Sequence, residues 1–148
     1  MSRRPALTLP PRPYLPGQTE RPDEAIFEPL KEGLAPGLSP EDLTRSAAFL
    51  GGREAFARGY FWEAHELWEA VWMVLPPASA ERHLLQGLIQ LANGGLKARM
   101  GRENAARRIA ALADTALREA FLQGQEGLMG LGRAEVEEMR NQALRYAG

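Results

Sequence analysis

Apolar residues recur at intervals of three and four along most of the chain, which is the spacing of one face of an α-helix. Five main helices are predicted, over residues 40–58, 59–75, 79–100, 102–123 and 133–146. Ser39 and Ser79 stand where N-cap residues are expected, and Gly59 where a helix ends. Pro76 and Pro77 stop the second of these helices, because proline does not continue a helix.

Three weaker features complete the pattern. A short helix is predicted within residues 23–34, and Gly51-Gly52 is predicted to kink or break the helix over residues 40–58. The glycine-rich residues 124–132 are predicted to form a link with at most one helical turn around Leu128. No run of alternating β-branched residues indicates a strand. The predicted fold class is therefore all-α, a compact bundle of about five helices.

The first 22 residues have a different character, because they contain six prolines. Proline fixes its own φ angle and restricts the residue before it, so residues 1–22 are predicted to form a proline-rich extended arm. Residues 23–148 are then predicted to form a single helical domain, in keeping with the length of the chain. Leu7, Leu9 and Tyr14 are apolar enough for the arm to lie on a surface, either of its own domain or of a second subunit.

Composition narrows the function classes. The net charge of −1 gives no field that favours nucleic acid or an anionic membrane. The absence of cysteine excludes disulfides and thiolate metal sites. No apolar run of about 20 residues predicts a membrane span, and the N-terminus lacks the apolar run of a signal peptide. A cytoplasmic protein is predicted, with a second copy of the chain or another protein as partner through the arm and the last helix.

The segment over residues 59–75 concentrates the candidate chemistry, since it holds all three tryptophans and one of two histidines. His65 and Glu69 lie one helical turn apart and are predicted to face the same way, with Glu66 on the adjoining face. The aromatic residues around them belong either to the core or to a pocket, and the polar residues of the next helix either face solvent or line that pocket. The candidate pocket residues are Phe61, Trp62, Trp68, Trp72, His83, Gln86 and Gln90.

Tyr60–Glu69 (YFWEAHELWE), Trp72 and Leu85–Gln90 (LQGLIQ) together resemble the signatures of a small helical family of bacteria and archaea. This family is the domain of unknown function family 309, which is marked by a His-x-x-x-Glu-x-x-Trp pattern. His65, Glu69 and Trp72 match the pattern, and the resemblance covers roughly residues 55 to 120. It implies an α-helical fold and a metal-binding role for the histidine and the glutamate, and it brings no activity with it.

Two functions from different classes remain open. In the first, the helix of His65 and Glu69 carries a site for a small ligand or for a divalent metal ion such as zinc, manganese or iron, with Glu66 as a third metal donor. In the second, the chain is a non-enzymatic interaction or scaffold module, and His65 and Glu69 form a buried structural pair. Whether the protein is an enzyme stays open, because no nucleophile can be tied to His65.

Overall fold

Seven α-helices make up most of residues 5–147, which is the part of the chain that the computed structural model describes. They are α1 (Glu28–Lys31), α2 (Pro40–Thr44), α3 (Ala47–Ala57), α4 (Phe61–Val74), α5 (Ala80–Arg99), α6 (Glu103–Ala120) and α7 (Arg133–Leu144). Two short 3₁₀ segments, Glu24–Phe27 and Arg145–Ala147, precede α1 and follow α7. The helical fold class is confirmed, but residues 5–147 form seven helices rather than five. The first four residues of the predicted arm and Gly148 lie outside the described residues.

The helix predicted over residues 40–58 is two helices, and the break is not at the glycine pair. Ser39 caps α2 by accepting a hydrogen bond from the amide of Asp42 at 3.1 Å. Ser46 caps α3 in the same way, accepting from the amide of Phe49 at 3.2 Å. A serine side chain that binds the backbone in this way starts a new helix. Gly51-Gly52 therefore lies inside α3.

A β-hairpin occupies the link for which one helical turn was predicted. Strands β1 (Gly127–Leu128) and β2 (Leu131–Gly132) pair antiparallel, with Leu128 opposite Leu131. Both residues of the turn between them, Met129 and Gly130, have positive φ angles of 49° and 76°. Such a pair of angles defines a type I′ hairpin turn, which is usually signalled by Asn-Gly or Asp-Gly. The Met-Gly sequence lacks that signal, so the hairpin was missed.

The core forms where α4 and α5 meet, with α3 on one side and α6 and α7 on the other. Trp68 is fully buried, its ring centroid lies 5.6 Å from that of Phe56, and its indole N–H donates to the carbonyl of Phe49 at 3.2 Å. Gly52 and Gly95 leave room for aromatic rings, of Trp68 and Phe61 respectively. Among the described residues, no helix combines the length and the apolar character that crossing a membrane requires.

The described part of the arm, residues 5–22, lies on the chain's own helices. The hydroxyl of Tyr60 donates to the carbonyl of Pro10 at 2.7 Å, and the amide of Tyr14 donates to Oε2 of Glu63 at 3.0 Å. The ring of Tyr14 packs edge-on against Trp62, with 5.0 Å between centroids. Of the two surfaces considered for the arm, the structure shows the arm on its own domain.

Candidate functional site

One face of α4 is partly exposed, whereas the opposite face lies in the core. The exposed face carries Trp62, His65, Glu66, Glu69, Trp72 and Met73. These positions follow the 3.6-residue repeat, so they form a single stripe along the helix. Met73 is 65% exposed at the end of the stripe.

His65 and Glu69 meet at the centre of this stripe. Nε2 of the imidazole lies 2.8 Å from Oε2 of Glu69, which is a hydrogen-bonding distance. The histidine side chain is 22% exposed and that of the glutamate is 52% exposed. The predicted convergence of the two groups is present, and it lies at the boundary with solvent rather than inside the core.

Glu66 approaches the other edge of the same imidazole. Its Oε1 lies 3.7 Å from Nδ1 of His65, and its Oε2 lies 4.0 Å from Nζ of Lys31 in α1. Nδ1 is buried and makes no hydrogen bond to any described residue. The two ring nitrogens point in different directions, so Glu66 and Glu69 flank the imidazole on opposite sides. A single ion held through Nε2 would not reach Glu66 in this arrangement.

The tryptophans of the predicted pocket have separate environments. Trp68 is in the core, and so is Phe61, which packs against Phe56 with 5.1 Å between ring centroids. Trp62 lies under the arm, against Tyr14. Trp72 is covered by the guanidinium of Arg82, which lies 4.1 Å from the ring centroid. Trp62 and Trp72 therefore stand at the two ends of the stripe, with the His65 and Glu69 pair between them.

The three α5 residues predicted to line a pocket with His65 do not share one environment. His83 lines a cavity of about 220 Å³ with Glu119 and Gln123 of the segment that ends α6, and His65 does not line that cavity. Gln86 is exposed and Gln90 is half-buried. Their membership of a common pocket with His65 stays a prediction.

A buried carboxylate that the sequence analysis did not single out is Glu63, on the same helix as His65 and Glu69. Glu63 is fully buried. Its Oε2 accepts the amide of Tyr14, while its Oε1 has no hydrogen-bond partner among the described residues. Burial raises the pKa of this carboxyl, and the hydrogen bond from Tyr14 and the charge of Arg99 partly oppose that effect. Its burial could have been predicted from its position four residues before Leu67, because both residues then lie on the face of α4 that the core covers.

The number of protein donors at this site limits how a metal ion could be coordinated there. Within residues 5–147, no cluster of three or more histidine, aspartate and glutamate side chains is arranged to hold a metal ion. An ion at the His65 and Glu69 pair would therefore have two protein donors and would complete its coordination with water.

Comparison with known proteins gives a family match, which covers the segment that contains His65 and Glu69. Residues 49–109 match the family model of a domain of unknown function, DUF309. The predicted resemblance to this family is confirmed, over a segment that starts earlier and ends earlier than expected. No curated protein and no solved structure gives a significant match to the chain.

The segment that matches DUF309 runs from within α3, through α4 and α5, into α6. It includes His65, Glu69 and Trp72, and it also includes the buried Glu63. The arm, the C-terminal half of α6 and α7 lie outside the match. The exposed stripe of α4 therefore belongs to the part of the chain that resembles DUF309.

Proposed function

We propose that the protein binds a divalent transition-metal ion on α4 through Nε2 of His65 and a carboxylate oxygen of Glu69. The observation that carries the proposal is the 2.8 Å approach of these two atoms at a partly exposed position. An imidazole nitrogen and a carboxylate oxygen one helical turn apart form a chelating pair. Solvent access at Glu69 leaves room for the water molecules that complete the coordination.

The spacing of the two donors favours a six-coordinate ion. At metal–ligand distances of about 2.1 Å, two donors 2.8 Å apart subtend an angle close to a right angle at the ion. A right angle is the octahedral value, whereas a tetrahedral zinc site requires a wider angle. Manganese(II) or iron(II), with four water ligands, is therefore the ion that the pair fits with least movement.

Glu66 is assigned no role in binding the ion. Its carboxylate lies beside Nδ1 and near Lys31, so its charge is balanced by α1 rather than by the ion. Proton transfer is a poorer match to the arrangement than binding. Nδ1 is buried, and Nε2 is occupied by Glu69, so neither nitrogen faces a substrate.

The test is a titration of the full chain with manganese(II), followed by the electron paramagnetic resonance signal of the free ion. We expect one saturable site, and we expect His65→Ala and Glu69→Gln each to weaken it about tenfold or more. Glu66→Gln is the matched control, because it removes a neighbouring carboxylate of the same helix. It should leave the affinity within about twofold.

Two outcomes contradict the proposal. One is the absence of saturable binding to the wild-type protein at millimolar manganese. The other is an affinity that Glu66→Gln lowers as much as Glu69→Gln does. If His65→Ala lowers the melting temperature and no ion binds, then the pair is structural, as in the interaction-module alternative.

A further inference from the structure

A solvent-open cleft of about 690 Å³ separates the C-terminal half of α6 from α7. It lies outside the segment that matches DUF309, and it is independent of the His65 and Glu69 pair. The cleft exists because α7 packs mainly on α5 and leaves a gap beside α6. Its volume is within the range of small-molecule sites in proteins.

Apolar side chains form part of the cleft lining. Leu117 and Phe121 contribute from α6 and its end, and Val136 contributes from α7. Leu122 also lines the cleft and is 72% exposed, so an apolar side chain remains in water there. A ligand with an apolar body would remove this surface from water, which is favourable in proportion to the area covered.

Two arginines cross the cleft and are held in place by hydrogen bonds. Arg140 donates to both carboxylate oxygens of Asp114, at 2.7 and 2.9 Å. Arg133 donates to the carbonyls of Phe121, at 2.8 Å, and Gln125, at 3.1 Å. Each of these contacts uses Nε and one terminal nitrogen. Within residues 5–147, no hydrogen bond from Nη1, the second terminal nitrogen, is present in either arginine, so its two N–H donors are available to a ligand.

The charges of the cleft are not balanced. Asp114 neutralises Arg140 through the two-point contact, whereas the hydrogen-bond partners of Arg133 are neutral carbonyls. Arg118 adds a further positive charge at the cleft, and Glu137 adds a negative one. The guanidinium of Arg133 also lies 5.3 Å from the ring centroid of Phe121. A fixed positive charge therefore stands directly beside the apolar surface.

We propose that this cleft binds a small molecule with one carboxylate and an apolar body. The carboxylate is held by the free Nη1 donors of Arg133, and the apolar body lies on Leu117, Phe121 and Val136. Arg133 is already fixed by two backbone carbonyls, so little side-chain freedom is lost when the ligand binds. Because the guanidinium stands next to an apolar surface, the cleft favours a ligand that combines an anionic end group with an apolar body.

The test uses octanoate as the probe and 1-octanol as its uncharged counterpart, followed by amide chemical shifts of the ¹⁵N-labelled full chain. We expect octanoate to give saturable shifts confined to the residues around the cleft, and 1-octanol to bind about tenfold more weakly. Arg133→Gln should weaken octanoate about tenfold. Arg107→Gln is the matched control, since Arg107 is an exposed arginine of α6 that does not line the cleft.

Arg133→Gln also removes the hydrogen bonds from Arg133 to the carbonyls of Phe121 and Gln125, so it changes the local structure as well as the charge. Glu137→Gln is therefore used as a second variant. Removing the negative charge of Glu137 should tighten octanoate binding about two- to threefold, which is an effect of opposite sign. The proposal is overturned if octanoate gives no saturable shifts at the cleft or if 1-octanol binds equally well. It is also overturned if Glu137→Gln leaves the octanoate affinity unchanged.

Discussion

Gly52→Ala is expected to lower the free energy of unfolding by about 3 kcal/mol, which corresponds to a fall of roughly 10 °C in melting temperature. A Cβ at this position would stand 2.3 Å from Nε1 and 2.4 Å from Cδ1 of Trp68. The ring cannot retreat without cost, because Trp68 is fully buried and donates its indole hydrogen bond to Phe49. Either the packing or the hydrogen bond has to be given up.

Gly94→Ala is the matched control for this prediction. Gly94 is also a buried glycine inside a helix, but a Cβ there would lie 3.5 Å from the carbonyl oxygen of Ala106, an ordinary contact. Alanine is the better helix former, so this variant should be more stable than wild type by about 0.5–1 kcal/mol. Equilibrium urea unfolding measures both values. Equal destabilisation by the two substitutions would show that the space for Trp68 is not what Gly52 provides.

Glu63→Gln is expected to remove a pH dependence of stability from the protein. Burial raises the pKa of folded Glu63 above its ordinary value of 4.5, so the folded protein holds this proton more tightly than the unfolded chain does. The resulting stabilisation is fully present below pH 4.5 and is lost as the pH rises through the folded-state pKa. Each unit of pKa difference corresponds to about 1.4 kcal/mol.

The stability of wild type relative to the glutamine variant should therefore fall as the pH rises through that window. The variant retains an acceptor for the amide of Tyr14 and carries no charge into the core. Urea unfolding at a series of pH values measures the difference. Glu119→Gln, which changes an exposed glutamate of α6, should follow the wild-type profile. A Glu63→Gln profile parallel to wild type would contradict the inferred direction of the pKa change.

Much of the helical framework was readable from the sequence, because the signals that set it are local. Ser39 and Ser79 cap helices as predicted, and Gly59 has the positive φ angle expected of a residue that ends one. The one-turn separation of His65 and Glu69 also brought their side chains together as expected. Each of these features depends on residues within about one helical turn, and the spacing of a helix is fixed by its backbone.

The sequence led to a wrong prediction where a helix-capping residue and a helix-breaking pair lie close together. The glycine pair in α3 was expected to interrupt the helix, yet Ser46 begins it and Gly52 lies inside it. A glycine within a helix costs stability, and here the cost is offset by the close packing of Trp68. The sequence contains both residues, but their contact joins two different helices. The Met129-Gly130 turn was missed for a different reason, since a positive φ angle is uncommon at methionine and the residue type does not signal it.

The tertiary structure alone decided how the polar groups are used. It placed the described arm on α4, closed Glu63 off from water, and set Glu66 on the opposite edge of the imidazole from Glu69. It also opened the cleft between α6 and α7. Burial and charge balance depend on which elements pack together, and the spacing of residues along one helix does not specify that packing. Periodicity therefore specified the helices and one contact along a helix, while packing between helices determined the environment of each carboxylate.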